Sequence, residues 1–255
     1  MRRKDILLPR RTLFGGIAAL GGLTLAGCDE TPPTYGNPLR LADNFTYRAQ
    51  RLLLPHTALV REFDHADITS MPAIGTTNPA NAKEPSFSSA FGEAYDRLRK
   101  GAFADWRLEV VGLVARPGAY SLADLKALPA RTQITRHTCE EGWSSIAEWT
   151  GAPLAGLLNH AGMLPNARYV NFHAYDEIAD SIDLVDALHP QTMLAYGMNG
   201  RDLPVAHGAP ARLRVETQLG YKSVKFLRRI EVVAKFDDFG KMGDIQNGWS
   251  WYAGI

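Results

Sequence analysis

Apolar and polar positions along this chain recur in short, mixed rhythms. Residues 106–114 alternate as a strand, and Arg116-Pro117-Gly118-Ala119 closes it with a turn. Residues 121–129 open on a capping serine and stop at a proline, which predicts a short helix. The pattern then predicts a strand at 131–138, a helix at 153–161 ended by Gly162, a strand at 169–174 and a short helix at 181–188. Two more strands are expected at 212–216 and 223–235, the second a long one. Upstream, residues 45–54 show helical periodicity up to Pro55, and residues 87–100 form an amphipathic helix stopped by Gly101. Residues 61–85 are rich in Pro, Thr, Ser, Asn and Gly and read as a long ordered loop, of a length that usually carries function. Strands and helices interleave without a steady βαβ rhythm, so the expected fold is a mixed α+β domain.

The first residues read as an address. Arg10-Arg11-Thr12-Leu13-Phe14 is a twin-arginine pattern behind Arg2, Arg3 and Lys4, and residues 15–26 are apolar but short for a membrane span. This stretch ends in Leu25-Ala26-Gly27-Cys28, which resembles a bacterial lipobox. The expected product is exported already folded by the twin-arginine route to the periplasm or an extracytoplasmic face. There a diacylated Cys28 tethers it to the membrane as a lipoprotein. A plain signal peptide or an uncleaved anchor is the competing reading. Residues 1–28 are thus the signal, 29–59 a Pro-rich tether and N-terminal segment, and 60–255 the working domain. With 28 basic and 27 acidic residues the net charge is +1. No nucleic-acid partner is expected, because that needs a basic face. Apart from Cys28 the only cysteine is Cys139, so no disulfide staples the domain.

Cys139 is the first chemical candidate. It lies in Arg136-His137-Thr138-Cys139-Glu140-Glu141-Gly142-Trp143-Ser144, at the end of a strand-like run. An unpaired thiol serves as a nucleophile or a soft-metal ligand, or is buried and inert. Further on, Met198-Asn199-Gly200 reads as a hairpin turn, and His207-Gly208-Ala209-Pro210-Ala211-Arg212 delivers a histidine and an arginine to the start of a strand. A guanidinium there suits an anionic phosphate, and Gly208 permits close backbone approach. Gly220 to Lys225 places backbone N–H groups and a cation together at a turn, another anion-binding arrangement. Asp176, after the 169–174 strand, offers a carboxylate acceptor. Solvated surface charges and a turn-capping aspartate are the bland readings of these residues.

Cys139, Trp143, Ser144, Trp149, Gly151, Pro153 and Leu154, followed by the 194–225 segment, resemble the sulfite-oxidase family of molybdopterin enzymes. The resemblance implies a sulfite-oxidase-type domain with mixed sheets and short helices, and a molybdenum-molybdopterin cofactor whose metal Cys139 binds. It implies that His207 and Arg212 contact the pterin and its phosphate, that Ser223, Val224 and Lys225 cradle the cofactor, and that Asp176 meets the pterin edge. The family's early Arg-Asn-His loop has no match here, so only Thr76 and Asn78 carry over from that region. Substrate-pocket candidates are Arg136, His137, Trp143 and Tyr252, Arg136 and Tyr252 being taken as catalytic; strand alternation puts only one of Arg136 and His137 on the metal's face. About 20 residues follow the last strand. Neither an immunoglobulin-like nor a haem domain is therefore expected, and the layout is similar to bacterial periplasmic methionine sulfoxide reductases. In those the aromatic tail, here residues 249–255, folds over the metal pocket. The implied activity is two-electron oxygen-atom transfer on a small sulfur or nitrogen oxo-compound, with electrons exchanged with a cytochrome or membrane haem partner. Alternatives are a cysteine-nucleophile enzyme, with His137 or His207 as base and no evident third group, and a metal-free binding module.

Overall fold

The computed structural model describes residues 38–84, 89–236 and 249–255. The leader, Cys28 and its signals lie outside the described residues. Among the described residues, helix α1 (Pro38–Leu53) comes first, followed by an irregular segment with a short 3-10 turn at His65–Asp67, and then α2 (Ser89–Lys100). The long loop expected at 61–85 is therefore largely present as far as it is described. Helix α1 starts earlier than the periodicity of 45–54 suggested, because its buried face is polar and leaves little apolar signal.

One sheet contains β1 (Arg107–Gly112), β2 (Gly118–Ser121), β5 (Tyr169–Ala174), β6 (Ala179–Asp183) and β10 (Leu227–Val233), in the order β2-β1-β10-β5-β6. Strands β1 and β10 run parallel and the other pairs antiparallel. The second sheet is antiparallel and contains β3 (Arg131–Thr138), β4 (Ser144–Pro153), β7 (Met193–Met198) and β8 (Arg201–Asp202), with β9 (Arg212–Arg214) also paired to β7. Short helices α3 (Leu122–Ala127), α4 (Leu154–Ala161) and α5 (Leu184–Ala187) join the strands. Ser121 caps α3 by accepting from the Asp124 N–H, and Gly162 ends α4 at φ 73°.

Four stretches depart from the sequence expectation. Strands β4 and β7 were missed because almost every residue in them is buried, so no alternation marks them. The segment 181–188 is only partly helical: Ser181 pairs with Asn171 in the β5–β6 ladder, and the helix starts after Asp183, whose side chain accepts from the Asp186 N–H. The long strand expected at 223–235 begins only at Leu227, since Phe226 sits at a positive φ of 53° and breaks the extended run.

The main core packs α4 and α3 with the inner residues of both sheets. Trp106 is fully buried and donates its indole N–H to the Leu227 carbonyl at 3.0 Å. The Tyr95 hydroxyl donates to the Ala209 carbonyl at 2.7 Å, tying α2 to the segment that carries His207 and Arg212. Trp149, buried in the second sheet, lies beneath the Arg212 and Arg214 guanidiniums, 5.3 and 4.4 Å from its ring centroid. The ends of β3 and β9 and the turns before β10 are thereby held against one rigid base, and the candidate chemistry gathers there.

Candidate functional site

Strand β3 delivers its last residues to the rim of a cavity of about 640 Å³. The turn after it is closed by two backbone bonds, from the Cys139 N–H to the Trp143 carbonyl at 2.9 Å and from the Gly142 N–H to the Cys139 carbonyl at 3.2 Å. Gly142 adopts φ 90°, a conformation that favours glycine, so the Glu-Glu-Gly sequence is what turns the chain. Cys139 is thereby buried but lines the cavity. Burial pushes its thiol up to about 11, and the neighbouring Glu140 carboxylate adds to that. A thiol so disposed is not a pre-activated nucleophile, although a bound metal would displace the proton.

Alternation on β3 turns His137 inward and Arg136 outward, where the Arg136 guanidinium lies over the Phe63 ring at 5.3 Å. The His137 Nδ1 is 2.6 Å from Nη1 of Arg214. A guanidinium only donates, so Nδ1 accepts and Nε2 carries the ring proton. Arg214 in turn binds both oxygens of the buried Glu216, at 3.1 and 2.6 Å. Burial and the Arg214 charge push His137 down to about 2, and it stays neutral. The histidine thus acts as a fixed neutral donor and is no candidate base.

The cavity that Cys139 lines is also lined by cations. Arg212 is buried, and its guanidinium donates to the Ser223 carbonyl at 2.8 Å and the His207 carbonyl at 3.1 Å. Lys225 Nζ donates to the carbonyls of Ile74, at 2.9 Å, and of Thr76. Among the described residues neither cation forms an ion pair with a carboxylate. Burial first, then the neighbouring guanidinium, pushes Arg212 down to about 9 and Lys225 down to about 8. His207 is lowered to about 4 by burial and the same two cations, so it is neutral at pH 7. Asp176 is buried and pushed up to about 6 by that burial; one of its oxygens accepts from the Ile178 N–H at 3.3 Å and the other has no hydrogen-bond partner.

Of the sequence candidates, Thr76, Cys139, Asp176 and His207 line this one cavity, together with Arg212, Ser223, Val224 and Lys225. Three others are placed elsewhere. The Asn78 side chain accepts from the Ala80 N–H at 3.1 Å and serves a turn of its own loop. Arg136 points away because of strand parity. The Tyr252 hydroxyl bonds Gln50 at 2.8 Å and its ring packs on Tyr47, so it binds the tail to α1 and is not among the lining residues. Sequence reasoning missed Tyr221, which lines the cavity together with Trp249; their rings are 4.9 Å apart. The aromatic tail does therefore reach the cavity, but through Trp249 and not Tyr252. Met71, Pro72 and Trp143 add apolar wall, and Glu140 and Glu141 stand beside the thiol.

These residues fit a molybdopterin. They provide a soft thiol, two buried cations that among the described residues form no direct ion pair, suited to a phosphate, and a buried carboxylate oxygen with no donor. Among the described residues, no group of three or more His, Cys, Asp or Glu is arranged to hold a metal ion. Cys139 would thus be the protein's ligand to a metal whose other ligands arrive with the cofactor.

Comparison with known proteins points the same way. The sequence model of the oxidoreductase molybdopterin binding domain matches residues 97–238. The chain is 40% identical to a putative protein-methionine-sulfoxide reductase subunit of Azospira oryzae, over 98% of this chain and 90% of that protein. It is 29% identical to the protein-methionine-sulfoxide reductase catalytic subunits of Gluconobacter oxydans and Xanthomonas campestris, covering 90% of this chain and 71% of each of them. Among solved structures, the sulfane dehydrogenase SoxCD from Paracoccus pantotrophus aligns with a TM-score of 0.51 at 27% identity; the match covers 53% of this chain and 40% of that one.

Proposed function

The chain belongs to the family of oxidoreductases with a sulfite-oxidase-type molybdopterin-binding domain, and from that premise we propose that it reduces methionine sulfoxide, free or within proteins, as an exported catalytic subunit. The molybdopterin is its cofactor. When bound, that group supplies two-electron oxygen-atom transfer. The balanced reaction takes methionine sulfoxide, two electrons and two protons to methionine and water.

The protein's own residues have separable tasks. Cys139 ligates the metal, Arg212 and Lys225 neutralise the cofactor phosphate, and Asp176 accepts from pterin N–H groups. Trp143, Tyr221, Trp249 and Met71 form a wall with apolar surface, suited to the methyl and methylene groups flanking a sulfoxide sulfur. The Nε2–H of His137 is the neutral donor available to a polar oxygen in the cavity. Glu140 and Glu141, at the same rim, are the carboxylates through which protons reach the site. Electrons come from a cytochrome or membrane haem partner, and the leader delivers the folded protein by the twin-arginine route and attaches it to the membrane through lipid on Cys28.

The observation that carries this reading is the convergence on one cavity of Cys139, Asp176 and two buried cations held by carbonyl oxygens. The raised Cys139 thiol speaks against the cysteine-nucleophile alternative. The test is oxidation of a reduced viologen by the purified holoenzyme with methionine sulfoxide, set beside sulfite with an artificial acceptor. We expect turnover with the sulfoxide at least about 100-fold above that with sulfite, a gap of roughly 2.7 kcal/mol in transition-state stabilisation. Turnover of sulfite with none of the sulfoxide would reverse the assigned direction.

A further inference from the structure

Helix α1 is amphipathic in the opposite sense to a helix on a globular surface. Its inner face is polar, with Arg40, Asp43 and Asn44 buried beside Tyr47. Asp43 accepts from the Ser250 hydroxyl at 2.8 Å, and Asn44 from the Trp251 indole at 3.0 Å. Arg51 reaches Asp186 at 2.7 Å and Asp183 at 3.1 Å. The outer face carries the leucines. Leu41, Phe45 and Leu52 recur at helical spacing with Leu53 beside them, and they are 61, 65, 73 and 76% exposed. Leu54 and Leu59 continue the apolar run past the helix end. Ordinary surface helices bury such residues and expose the charges. Scattered exposed leucines need no explanation, but a stripe of them marks an interaction surface.

The charges on α1 fit one kind of occupant. Its single acidic residue, Asp43, is on the buried face, so no carboxylate of the helix stands on the apolar side to repel an anionic lipid surface. Among the described residues no helix is long and apolar enough to cross a membrane, so this stripe would lie along a bilayer and not span one. Ten peptide units, with nine residues between, link Cys28 to Pro38. Fully extended they reach at most about 35 Å. Any membrane attachment at Cys28, or through the apolar residues 15–26, therefore holds α1 close to that bilayer.

We propose that the outer face of α1 lies in the membrane interface, with Leu41, Phe45, Leu52 and Leu53 at the boundary between headgroups and acyl chains. The proposal rests on the leader reading for proximity, while the inverted face stands without it. Helix α1 is bonded through Asp43 and Asn44 to the tail whose Trp249 lines the cavity, so docking α1 also orients the cavity relative to the bilayer.

The test uses full-length holoenzyme in phosphatidylethanolamine–phosphatidylglycerol vesicles, with or without brominated phosphatidylcholine. Tryptophan is introduced as Phe45→Trp or Leu52→Trp, and as Arg97→Trp on the exposed side of α2 for comparison. All three positions are exposed, and unchanged molybdenum content shows that each variant folded. Brominated lipid should reduce the emission added at positions 45 and 52 by about half or more, and leave that at position 97 unchanged. Equal, small quenching at all three positions overturns the proposal. Mass spectrometry of the mature N-terminus reads the leader separately. Quenching without lipid on Cys28 sustains the helix docking and removes the lipoprotein reading; lipid on Cys28 without quenching does the reverse.

Discussion

At the scale of single residues, the informative feature of the cavity is a charge imbalance. Arg212 and Lys225 are held by carbonyl oxygens where a buried cation would ordinarily have a carboxylate. Burial lowers Lys225 to about 8, so it is mostly cationic at pH 7 and loses its charge as the pH rises through about 8. Inorganic phosphate should therefore bind the cofactor-free protein more weakly at pH 9 than at pH 7. The Lys225→Met variant should show a smaller pH dependence, the remainder coming from Arg212 at about 9, and should lose about tenfold in affinity, read by calorimetry. The sign for stability is opposite. Between about 8 and the ordinary lysine value the unfolded chain holds a proton that the folded one has released, so the cofactor-free fold gains stability with rising pH in that window. A flat binding profile in the wild type would show that Lys225 does not face the anion.

These residues were legible because short motifs fix them to strand ends. His207 and Arg212 flank β9's start, and Ser223 to Lys225 precede β10. Arg136 and His137 were not separable, because alternation says only that they differ; the parity comes from how β3 pairs with β4, which no local pattern states. Tyr221 was invisible for a different reason. An aromatic residue next to a lysine has no spacing signature, and only the folding back of Trp249 onto it makes a wall.

At the scale of elements, the site depends on close approach between β3 and the 3-10 turn at Gly220–Lys222. A Cβ on Gly220 would stand 2.3 Å from Nε2 of His137, in space that ring already fills. Gly220→Ala should cost about 1–3 kcal/mol through overpacking. That corresponds to a fall in Tm of roughly 2–4 °C per kcal/mol for a chain of this size. By contrast Gly156, in helix α4, has nothing within 4 Å of its added Cβ. Gly156→Ala should leave the melting temperature unchanged or raise it slightly. Equal losses in the two variants would mean that the contact with His137 does not set the result. The amphipathic and capped elements were readable from sequence, α3 and α4 above all. The buried strands β4 and β7 were not, since hydrophobicity on both faces erases the two-residue period. Helix α1 was only half visible because its inner face is polar.

At the scale of the whole molecule, the end of β3, the segments before β9 and β10, the irregular segment after α1 and the tail converge on one cavity. Helix α1 bonds the tail through Asp43, Asn44 and Gln50, and the tail places Trp249 at the cavity wall. A tail remote in sequence from the cavity's other lining thus supplies part of its wall, which is why no local motif announced it. On the function proposed above, this cavity holds a molybdopterin whose metal is bound by Cys139. The most direct measurement is molybdenum content together with the Mo(V) EPR spectrum of the wild-type protein and of Cys139→Ser. Molybdenum is expected in the wild type and an altered Mo(V) signal in a still-folded serine variant, because a hydroxyl is a harder and weaker donor than a thiolate. An identical Mo(V) spectrum in Cys139→Ser would contradict it.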